Sequence, residues 1–418
     1  MSQHGNTTEA RFEVAIVGGG LVGASLACAL APLGLKIALL EAVPRRAGVQ
    51  PSYDDRTLAL SASSCRILQS LGIWPLLRQN ATAIREIHVS ERGRPGRVIL
   101  HPRELGLDHF GHVVEARAFG AAITQSLAAS ANVDFICPAP ISTVECGAAT
   151  TRVVYTQQGQ ACTLQARLLV GADGAESVVR KALGIGVSRH DYGQTAVICN
   201  ISPQQPHQGR AFECFTPTGP FALLPHVDGR CGLVWSVASA AASGILALPD
   251  EEFLHRAHAL FGDTLGAWYT AGKRSAYPLL LVQALEDTGP RTVILGNAAH
   301  AIHPLGAQGF NLGLRDVAVL TEVIATALDH DPAADIGRMD LLQTYSDWRR
   351  PDQSGTIAYT DGLVRLYANP TSLAAAARGL GMLAHALLPP LRRRLAVRAM
   401  GYGGRVPRLA LGEAPGGA

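Results

Sequence analysis

Three glycines and one acid near the start of the chain have the spacing of a dinucleotide-binding site. Gly18, Gly20 and Gly23 form a G-x-G-x-x-G pattern, and Glu41 stands 21 residues after Gly20. In such a site the first glycine allows a tight turn, the second lets a pyrophosphate approach the backbone, and the third lets a helix pack closely on a strand. Amides at the helix start attract the phosphates, and the acid accepts hydrogen bonds from a ribose. The pattern therefore predicts a bound dinucleotide, either FAD or NAD.

A second glycine-rich stretch, ILGNAAHAIHPLGAQGFNLGLRD, occupies residues 294–316. Loops this rich in glycine usually lie where another group comes too close for side chains. His300 and His303 have H-x-x-H spacing, but without a nearby cysteine or carboxylate the pair is poor support for a metal. We therefore predict no metal, and we expect both imidazoles to form hydrogen bonds or shape a pocket beside a bound organic molecule.

The elements that hold the first motif can be predicted from the apolar pattern. Residues 12–17 and 36–40 are short apolar runs typical of buried parallel strands. Residues 21–33 between them have helical spacing, and Gly34 is a plausible C-cap. The glycines therefore lie at the turn of a predicted strand–helix–strand unit.

Two later turns are expected at the same edge of the sheet. ARLLVGADGAESVVRKALGI (residues 166–185) predicts an apolar strand, a turn containing D-G, and a helix. The stretch at 294–316 predicts a strand, a glycine-rich loop and a helix from about residue 311. Because α/β folds bind ligands outside the carboxyl ends of their strands, all three turns are expected to meet at one ligand.

In this order and spacing, the three segments resemble the single-component flavin-dependent aromatic hydroxylases. The resemblance implies that the first motif holds the ADP half of FAD and that the D-G motif lies near the cofactor and the pyridine nucleotide. It also implies that the third motif, usually G-D-x-x-H-x-x-x-P, contacts the ribityl chain. Here Asn297 replaces the usual aspartate, and Ala307 stands where a glycine commonly precedes Gln308. An amide can still hydrogen-bond a ribityl hydroxyl, so we expect FAD to be retained.

Three longer blocks narrow the resemblance to the ubiquinone-biosynthesis hydroxylase family. They are DDRTLALSASSCRILQSLGIW (54–74), GNAAHAIHPLGAQGFNLGLRD (296–316) and YSDWRRPDQSGTIAYTDGLVRLYAN (345–369). The asparagine of the third motif, followed by H-P and G-F-N-L-G-x-R-D, is most similar to the branch that hydroxylates 2-polyprenyl-6-methoxyphenol (2-octaprenyl-6-methoxyphenyl hydroxylase). The resemblance covers roughly residues 12–369.

This resemblance implies a monooxygenase with noncovalent FAD that uses NAD(P)H and O2 through a flavin C4a-hydroperoxide. The implied substrate is a prenylated phenol of ubiquinone biosynthesis. Because the chain has no second G-x-G-x-x-G pattern, NAD(P)H is expected to bind only transiently. The cofactor carries the oxygen chemistry, and the protein supplies position, a dry pocket and hydrogen bonds. No acid–base pair stands out, so the catalytic base is unassigned.

Two other functions stay open at this point. One is a flavin monooxygenase acting on another phenolic or isoprenoid substrate, and the other is a noncatalytic flavoprotein that scaffolds a quinone-synthesis complex. A flavin halogenase is disfavoured because the W-x-W-x-I-P signature is absent, and a serine hydrolase because G-x-S-x-G is absent. Substrate-dependent NAD(P)H oxidation that is coupled to product formation would exclude the noncatalytic scaffold function.

Two arginines are ambiguous candidates for the cofactor site. Arg56 is expected to contact an FAD phosphate or to shape the active-site entrance, with an ion pair to Asp54 or Asp55 as the alternative. Arg117 opens a predicted helix and either reaches FAD or is a surface cation. The full set of predicted cofactor-binding residues is Gly18, Gly20, Leu21, Val22, Gly23, Glu41, Arg56, Arg117, Asp173, Gly174, Gly296, Asn297, Pro304, Gly306, Gln308, Gly309, Phe310 and Asn311.

The predicted fold class is α/β, a Rossmann-like FAD-binding domain with an inserted, mostly antiparallel β-sheet substrate domain and a helical C-terminus. Short alternating runs separated by proline and glycine from residue 187 to about 285 support the insertion. The predicted divisions are 1–82, 109–186 and 288–345 for the FAD-binding parts, 83–108 and 187–287 for the substrate domain, and 346–418 for the helical region with its basic tail. Six residues of this sheet are candidates for an apolar pocket or for ordinary core packing: Phe212, Phe215, Phe221, Leu223, Pro225 and Trp235.

Composition predicts a cytoplasmic protein. The 418 residues are 48% hydrophobic and 17% charged, and the eight cysteines include no C-x-x-C pair, which is typical of reduced cysteines. The polar N-terminus has no apolar signal region, and no long uncharged apolar run predicts a spanning helix. A homo-oligomer is a further open alternative.

The basic tail suggests a partner. Residues 362–411 contain eight arginines and no acid. Because these cations are confined to one end and are not interleaved with aromatics, nucleic acid is a poor explanation. An anionic surface at the inner face of the membrane, or an acidic partner of a ubiquinone-synthesis complex, fits better. The alternative is a helical cap on the FAD domain, since five apolar residues recur at helical spacing: Leu373, Ala376, Leu380, Leu383 and Leu387.

Overall fold

The computed structural model describes residues 9–44, 56–94, 96–369 and 371–414. In chain order its strands are β1 (Ala10–Val17), β2 (Ile37–Leu40), β3 (Thr57–Ser61), β4 (Thr82–Ala83), β5 (Glu86–Glu91), β6 (Arg97–Leu100), β7 (Gly111–Glu115), β8 (Val133–Ile136), β9 (Ile141–Cys146), β10 (Thr151–Gln157), β11 (Gln160–Gly171), β12 (Val187–Pro203), β13 (Arg210–Thr216), β14 (Gly219–Pro225), β15 (Cys231–Ala238), β16 (Trp268–Ala271), β17 (Ser275–Ala284), β18 (Thr288–Gly289), β19 (Thr292–Ile294) and β20 (His300–Ala301). Its α-helices are α1 (Leu21–Leu30), α2 (Ala62–Ser70), α3 (Trp74–Leu77), α4 (Ala116–Ala128), α5 (Val178–Ala182), α6 (Ser239–Leu246), α7 (Asp250–Phe261), α8 (Gln308–His330), α9 (Met339–Ala368), α10 (Ser372–Leu387), α11 (Pro389–Ala399) and α12 (Arg408–Leu411).

The first sheet carries the dinucleotide motif. Its strands lie in the order β18-β19-β11-β1-β2-β8, and β10 and β9 extend it from β11. The central pairs β19–β11, β11–β1, β1–β2 and β2–β8 are parallel. Side chains of β1 are buried on both faces, as expected for a parallel strand covered by helices. The predicted Rossmann-like unit is confirmed, and its three glycine-containing turns follow β1, β11 and β19.

The second sheet is mostly antiparallel and is inserted between parts of the first. Its strands lie in the order β20-β17-β12-β15-β14-β13-β5-β6, with β16 beside β12. Only the β13–β5 pair is parallel among the described pairs of this sheet. Phe221, Trp235 and Phe253 form part of an apolar core beneath α6 and α7 on one face. The predicted insertion is confirmed as an element of the fold, while the residue boundaries between domains remain predictions.

The C-terminal helices cover different parts of the molecule. Helix α10 packs on β6 and α9, and α11 packs on a short 3₁₀ turn at Pro102–Leu105. Helix α12 packs on α2 and α8, beside the first sheet. The cap formed by α10 and α11 therefore lies mainly on the second sheet, while the end of α11 and α12 contact the FAD-binding part as the cap interpretation expected. No helix in the described part of the chain combines the length and apolar character needed to cross a bilayer.

Local differences from the predicted elements have simple causes. The predicted helix over 21–33 is an α-helix only to Leu30, and Ala31–Leu33 form a 3₁₀ turn. Pro32 lacks the amide hydrogen that an α-helix requires there. Helix α8 begins at Gln308 rather than near 311, immediately after Ala307 in a left-handed conformation.

Candidate active site

A cavity of about 1100 Å³ joins the two sheets and the C-terminal helices. Of the predicted cofactor residues, those that line it are Gly18, Gly20, Leu21, Val22, Glu41, Arg56, Asp173, Gly174, Asn297, Pro304, Gly306, Gln308, Gly309, Phe310 and Asn311. Gly23 and Gly296 lie directly behind this wall, where their backbones pack against Gly18 and Val22. The structure thus brings together residues from three separate turns of the first sheet.

The first turn has a backbone that only glycine can form without strain. Gly18 has a φ of +107°, and a Cβ atom there would overlap the carbonyl oxygen of Ala172. A Cβ atom at Gly23 would overlap the carbonyl oxygen of Gly18. Gly20 is the N-cap residue of α1, so the amides of the first helical turn lie beside it. This arrangement is a cradle for a pyrophosphate.

Glu41 is held at the end of β2 by backbone amides. The amide of Gly19 donates to one carboxylate oxygen at 2.8 Å, and the amide of Val43 donates to the other at 2.8 Å. The side chain is buried but lines the cavity. Each oxygen has a second lone pair, so the oriented carboxylate can still accept from a ribose hydroxyl.

The third turn passes between α1 and α8. Gly296 has a φ of +57°, and its Cα packs against Val22. The next residue, Asn297, is exposed and lines the cavity. The side chain of Asn311 is used inside the protein: its oxygen accepts from the Ser61 amide at 2.8 Å and its nitrogen donates to the Ala59 carbonyl at 2.8 Å. Asn311 therefore ties β3 to the start of α8, a role that sequence reasoning missed.

A buried ionic cluster supports this turn from behind. Asp316 Oδ2 accepts from the Gly296 amide at 3.0 Å and lies 2.6 Å from His300 Nε2. Its other oxygen accepts from Arg349 Nε at 2.7 Å and from Gln353 Nε2 at 3.1 Å. Burial alone would raise the pKa of Asp316, but the charges of His300 and Arg349 outweigh it and hold that pKa below its usual value. The expectation of no nearby carboxylate for His300 was wrong, because Asp316 is brought to it by the fold.

His303 is a neutral donor at the cavity wall. Its Nδ1 accepts from the Leu305 amide at 3.1 Å, so the ring hydrogen of the neutral form is on Nε2. Burial lowers the pKa of His303 to about 4, which keeps the ring uncharged near neutral pH. Within the described residues this Nε2 has no hydrogen-bond partner. A buried, unsatisfied donor beside the glycine-rich loop fits a bound polar group such as a flavin.

The D-G turn is shaped by its own aspartate. Asp173 accepts from Ser177 Oγ at 2.5 Å and from the Val178 amide at 2.6 Å, which caps the start of α5. Gly174 has a φ of +83°. The cavity-lining part of this turn is thus held rigidly where the strand ends.

The two arginines lie in different places. Arg56 lines the cavity, and its guanidinium lies 4.9 Å from the ring centre of Tyr277. Asp54 and Asp55, its alternative partners, are outside the described residues. Arg117 is 62% exposed, 3.7 Å from Glu115, and is not brought to the cavity, which matches the surface-cation alternative.

The substrate side of the cavity is a wall of alternating strand residues. Phe215 lines it, whereas Phe212, Phe221, Leu223 and Trp235 share the core on the other face, as ordinary packing predicts, although Phe212 also borders the cavity. One register row across β6, β5, β13, β14 and β15 lines the cavity and consists of Val98, Val89, Glu213, Ala222 and Val234. Glu213 was missed by sequence reasoning because nothing in the alternation of β13 marks which face meets the cavity.

Comparison with known proteins agrees with this geometry. Residues 11–358 match the family described as FAD binding domain. The chain is 39% identical over 406 residues to the ubiquinone hydroxylase UbiL of Rhodospirillum rubrum, covering 96% of this chain and 92% of the relative. It is 30% identical over 441 residues to the mitochondrial ubiquinone biosynthesis monooxygenase COQ6 of Rattus norvegicus, covering 93% and 91%.

A solved structure supports the fold. The p-nitrophenol 4-monooxygenase PnpA from Pseudomonas putida DLL-E4 superimposes with a TM-score of 0.79 at 18% identity, covering 96% of this chain and all of that one. The glycine cradle, the oriented Glu41 and the unsatisfied donor of His303 fit FAD as the cofactor. This chain therefore belongs to the family of FAD-dependent monooxygenases that act as hydroxylases in ubiquinone biosynthesis.

Proposed function

We propose that this protein hydroxylates the ring of a prenylated phenol, most like 2-polyprenyl-6-methoxyphenol, with electrons from NAD(P)H and oxygen from O2. The observation that carries the proposal is the continuity of one cavity from the glycine cradle to an apolar compartment. That compartment is lined by Ile87, Val98, Leu100, Leu224, Met382 and Leu395 among others. A ring seated by the cofactor with an isoprenoid chain along these residues would bury apolar surface throughout.

The residues of the chain have separable roles in this proposal. When bound, FAD supplies the reduction and the activation of oxygen. The first-turn amides and Glu41 hold its ADP half, and the loop from Pro304 to Phe310 holds the flavin side with backbone amides. The apolar strands and α9–α11 exclude water from the reacting ring. Hydroxylation para to the phenolic oxygen, one of the ring's nucleophilic positions, would give a hydroquinone.

The test is turnover by the purified FAD-loaded protein. We expect NAD(P)H oxidation that depends on 2-polyprenyl-6-methoxyphenol and forms one hydroxylated product per NAD(P)H, detected by mass spectrometry. The matched comparison is the same methoxyphenol without its prenyl chain, which should bind more weakly. Faster turnover of the unprenylated phenol would favour the alternative phenolic substrate. FAD binding without substrate-dependent oxidation of any phenol would favour the scaffold.

The surface of the cap formed by α10 and α11 indicates how a water-insoluble substrate reaches the cavity. One side of α10 lines the cavity through Gly381, Met382 and His385. On its outer side Leu380, Leu383 and Leu387 are 68%, 53% and 67% exposed, although their spacing is that of a buried stripe. Exposed apolar residues beside cations are typical of interfacial helices. We infer that this surface docks on an anionic membrane, from which the prenylated phenol enters beneath α10.

A further inference from the structure

Glu213 is a single acid in an otherwise apolar wall. On the strands beside it, its register neighbours are Val89 on β5 and Ala222 on β14, and Val98 and Val234 continue the same row. All five line the cavity. A carboxyl group in such a setting is costly to ionise and is rarely placed there for packing alone.

The position of Glu213 connects the substrate wall to the glycine-rich loop. Its carboxyl group lies beside the backbone amide of Gly306, a residue of the loop predicted to hold the flavin side of FAD. Burial raises the pKa of Glu213 to about 8, although the Gly306 amide favours the ionised form. The carboxyl group is therefore near the reacting region and can gain or lose a proton close to neutral pH.

The other ionisable groups of this compartment are engaged elsewhere. From α9, burial raises the pKa of Tyr359 to about 12, and Arg398 of α11 lies 5.3 Å from the Tyr359 ring centre. From α10, Arg378 Nε donates to Glu91 at 3.0 Å, and His385 Nδ1 lies 2.8 Å from the Gly381 carbonyl oxygen. The remaining two ionisable groups that line this side of the cavity are His303 of the loop and Tyr367 of α9.

We propose that Glu213 is the proton acceptor for the phenolic hydroxyl of the substrate. This inference rests on the proposed function and assigns the base that the sequence left open. The Gly306 amide lies to one side of the carboxyl group, and the carboxylate has further lone pairs that can accept from a phenol in the cavity. Among the described residues through which these strands line the cavity, Glu213 is the only acid that could accept from that hydroxyl.

The proton balance of the step is simple. As the ring carbon forms its bond to the oxygen atom that O2 supplies, the phenolic O–H bond breaks and a carboxylate oxygen of Glu213 gains that proton. The ring then loses the hydrogen of the hydroxylated carbon as a proton to regain aromaticity, and Glu213 returns its proton to the original phenolic oxygen. The second oxygen atom of O2 leaves as water, with the two electrons of NAD(P)H and with protons that include the one lost by the ring. Glu213 is unchanged overall. Partial removal of the phenolic proton makes the ring a better nucleophile.

The first test needs no turnover. Infrared titration of the protein should show a protonated carboxyl band that disappears with a midpoint near pH 8 and is absent in Glu213→Gln. Adding the phenol should lower that midpoint, because a phenolic donor stabilises the carboxylate. The methyl ether of the same phenol, which cannot donate, should not. A midpoint that the phenol leaves in place would overturn the proposal, whatever the outcome of product assays.

Asp287→Asn is the matched control that assigns the infrared band of the protonated carboxyl group to Glu213. Among the described residues Asp287 is the other carboxyl group whose pKa is raised by burial, and it accepts from Ser346 Oγ at 2.5 Å outside the cavity. Its replacement should leave the phenol-sensitive band intact. His385→Gln should likewise leave the midpoint near pH 8, which separates the carboxyl group from the nearby imidazole.

Turnover gives the second test. In the wild-type protein kcat/KM for hydroxylation should rise with pH through about 8, because this ratio reports the free protein and only the deprotonated carboxylate accepts the proton, while kcat should rise at a lower pH. Glu213→Gln keeps the size and the acceptor for Gly306, and we expect it to lose hydroxylation by on the order of 10²-fold together with this pH dependence. NAD(P)H oxidation should continue, with O2 returned as H2O2. Two results would overturn the proposal. In one, the Glu213→Gln variant has the product yield and pH profile of the wild type. In the other, it loses FAD affinity and thermal stability in proportion to its activity, which would make Glu213 a structural residue.

Lack of product from the wild-type protein itself would count against the proposed function instead.

Discussion

Asn297 places an amide where the wider group of flavin hydroxylases has a carboxylate. The residue is exposed and lines the cavity next to Gly296, whose backbone is left-handed. A carboxylate can only accept hydrogen bonds, whereas an amide both accepts and donates. If the position serves a ribityl hydroxyl, it needs an acceptor, and either side chain provides one.

Replacing Asn297 tests this contact. Asn297→Asp should keep FAD affinity, while Asn297→Leu should weaken it by about 1–3 kcal/mol because a cofactor hydroxyl is buried without a partner. Fluorescence titration of the FAD-free protein measures both. Asn80→Leu, at an exposed position away from the cavity, is the control for added surface leucine. Equal affinities of the wild type and Asn297→Leu would show that this side chain does not touch the cofactor.

Asp316 is the residue on which the third turn depends most. It is fully buried and is shared by Gly296, His300, Arg349 and Gln353. Removing one member of a buried ionic group leaves another charge uncompensated. Arg349 would keep only Asp352, whose carboxylate lies 2.7 Å from its Nη1.

We therefore expect Asp316→Asn to lower the free energy of unfolding by about 3 kcal/mol, the lower end of the range for breaking a buried pair, because Asp352 remains. The pKa of Asp316 is depressed in the folded protein, so its contribution is present above the usual pKa of 3.8 and is lost as the pH falls through the folded value. The acid slope of stability should thus flatten in the variant. Denaturant unfolding at several pH values measures this. Asp340→Asn, in an exposed pair with Arg338, should change little. A similar loss in both variants would contradict the assigned role.

The secondary-structure elements show which parts of the site a sequence can predict. The strand–turn–helix units around Gly18, Gly174 and Gly296 follow from short-range apolar spacing, and the structure has all three. The contacts of Asp316 with Arg349 and His300 depend on how α8 packs against α9 and against the loop that contains β20. No local sequence pattern predicts this packing. Whether the Glu213 side chain faces the cavity depends on the register of β13 in the sheet, since a shift of one residue would turn it toward the core.

The start of α8 carries a local strain that can be measured. Ala307 has a φ of +53°, a left-handed conformation that costs a residue with a Cβ about 1–2 kcal/mol. Ala307→Gly should raise the free energy of unfolding by about 1 kcal/mol or slightly less, because the added freedom of the unfolded chain offsets part of the gain. Ala358→Gly, at an exposed position within α9, should instead lower it by about 1 kcal/mol. Thermal unfolding of both variants provides the measurement, and equal signs would show that Ala307 is not strained.

For the molecule as a whole, the sequence predicted two sheets and a helical cap, but it predicted the cap on the FAD domain, whereas α10 packs on the second sheet. Helical spacing in residues 373–387 indicates an apolar stripe, and such stripes usually face a core. Here Leu380, Leu383 and Leu387 of this stripe face outward, because the opposite side of α10 closes the cavity above β6. Amphipathic spacing alone cannot distinguish a side packed on protein from a side left for another apolar surface.

The arginines of the tail are not equivalent in the structure. Arg392 Nε donates to Glu104 at 2.8 Å, and its Nη1 donates to the Ala386 carbonyl, so it fastens α11 to the body. Arg398 lies against Tyr359 at the cavity. Arg393 and Arg394 are exposed on α11, which leads on from the exposed leucines of α10. Arg393 and Arg394 are therefore suitable for testing membrane attraction without disturbing the cap.

Changing Arg393 and Arg394 together to Gln should weaken cosedimentation with anionic vesicles by about 2 kcal/mol, at about 1 kcal/mol for each cation near the surface. The loss should shrink at high salt, because screening reduces the attraction of the wild type.

Replacing Leu383 and Leu387 with Ser should weaken binding to neutral vesicles as well, since apolar insertion does not need lipid charge. Arg256 and Arg338, changed together to Gln, remove the same charge from exposed ion pairs on α7 and at the start of α9 and should leave vesicle binding intact. FAD content and melting temperature should stay at wild-type values in the arginine variants. If neither the tail arginines nor the leucines alter vesicle binding, the cap is only structural and the prenylated phenol must arrive by another route.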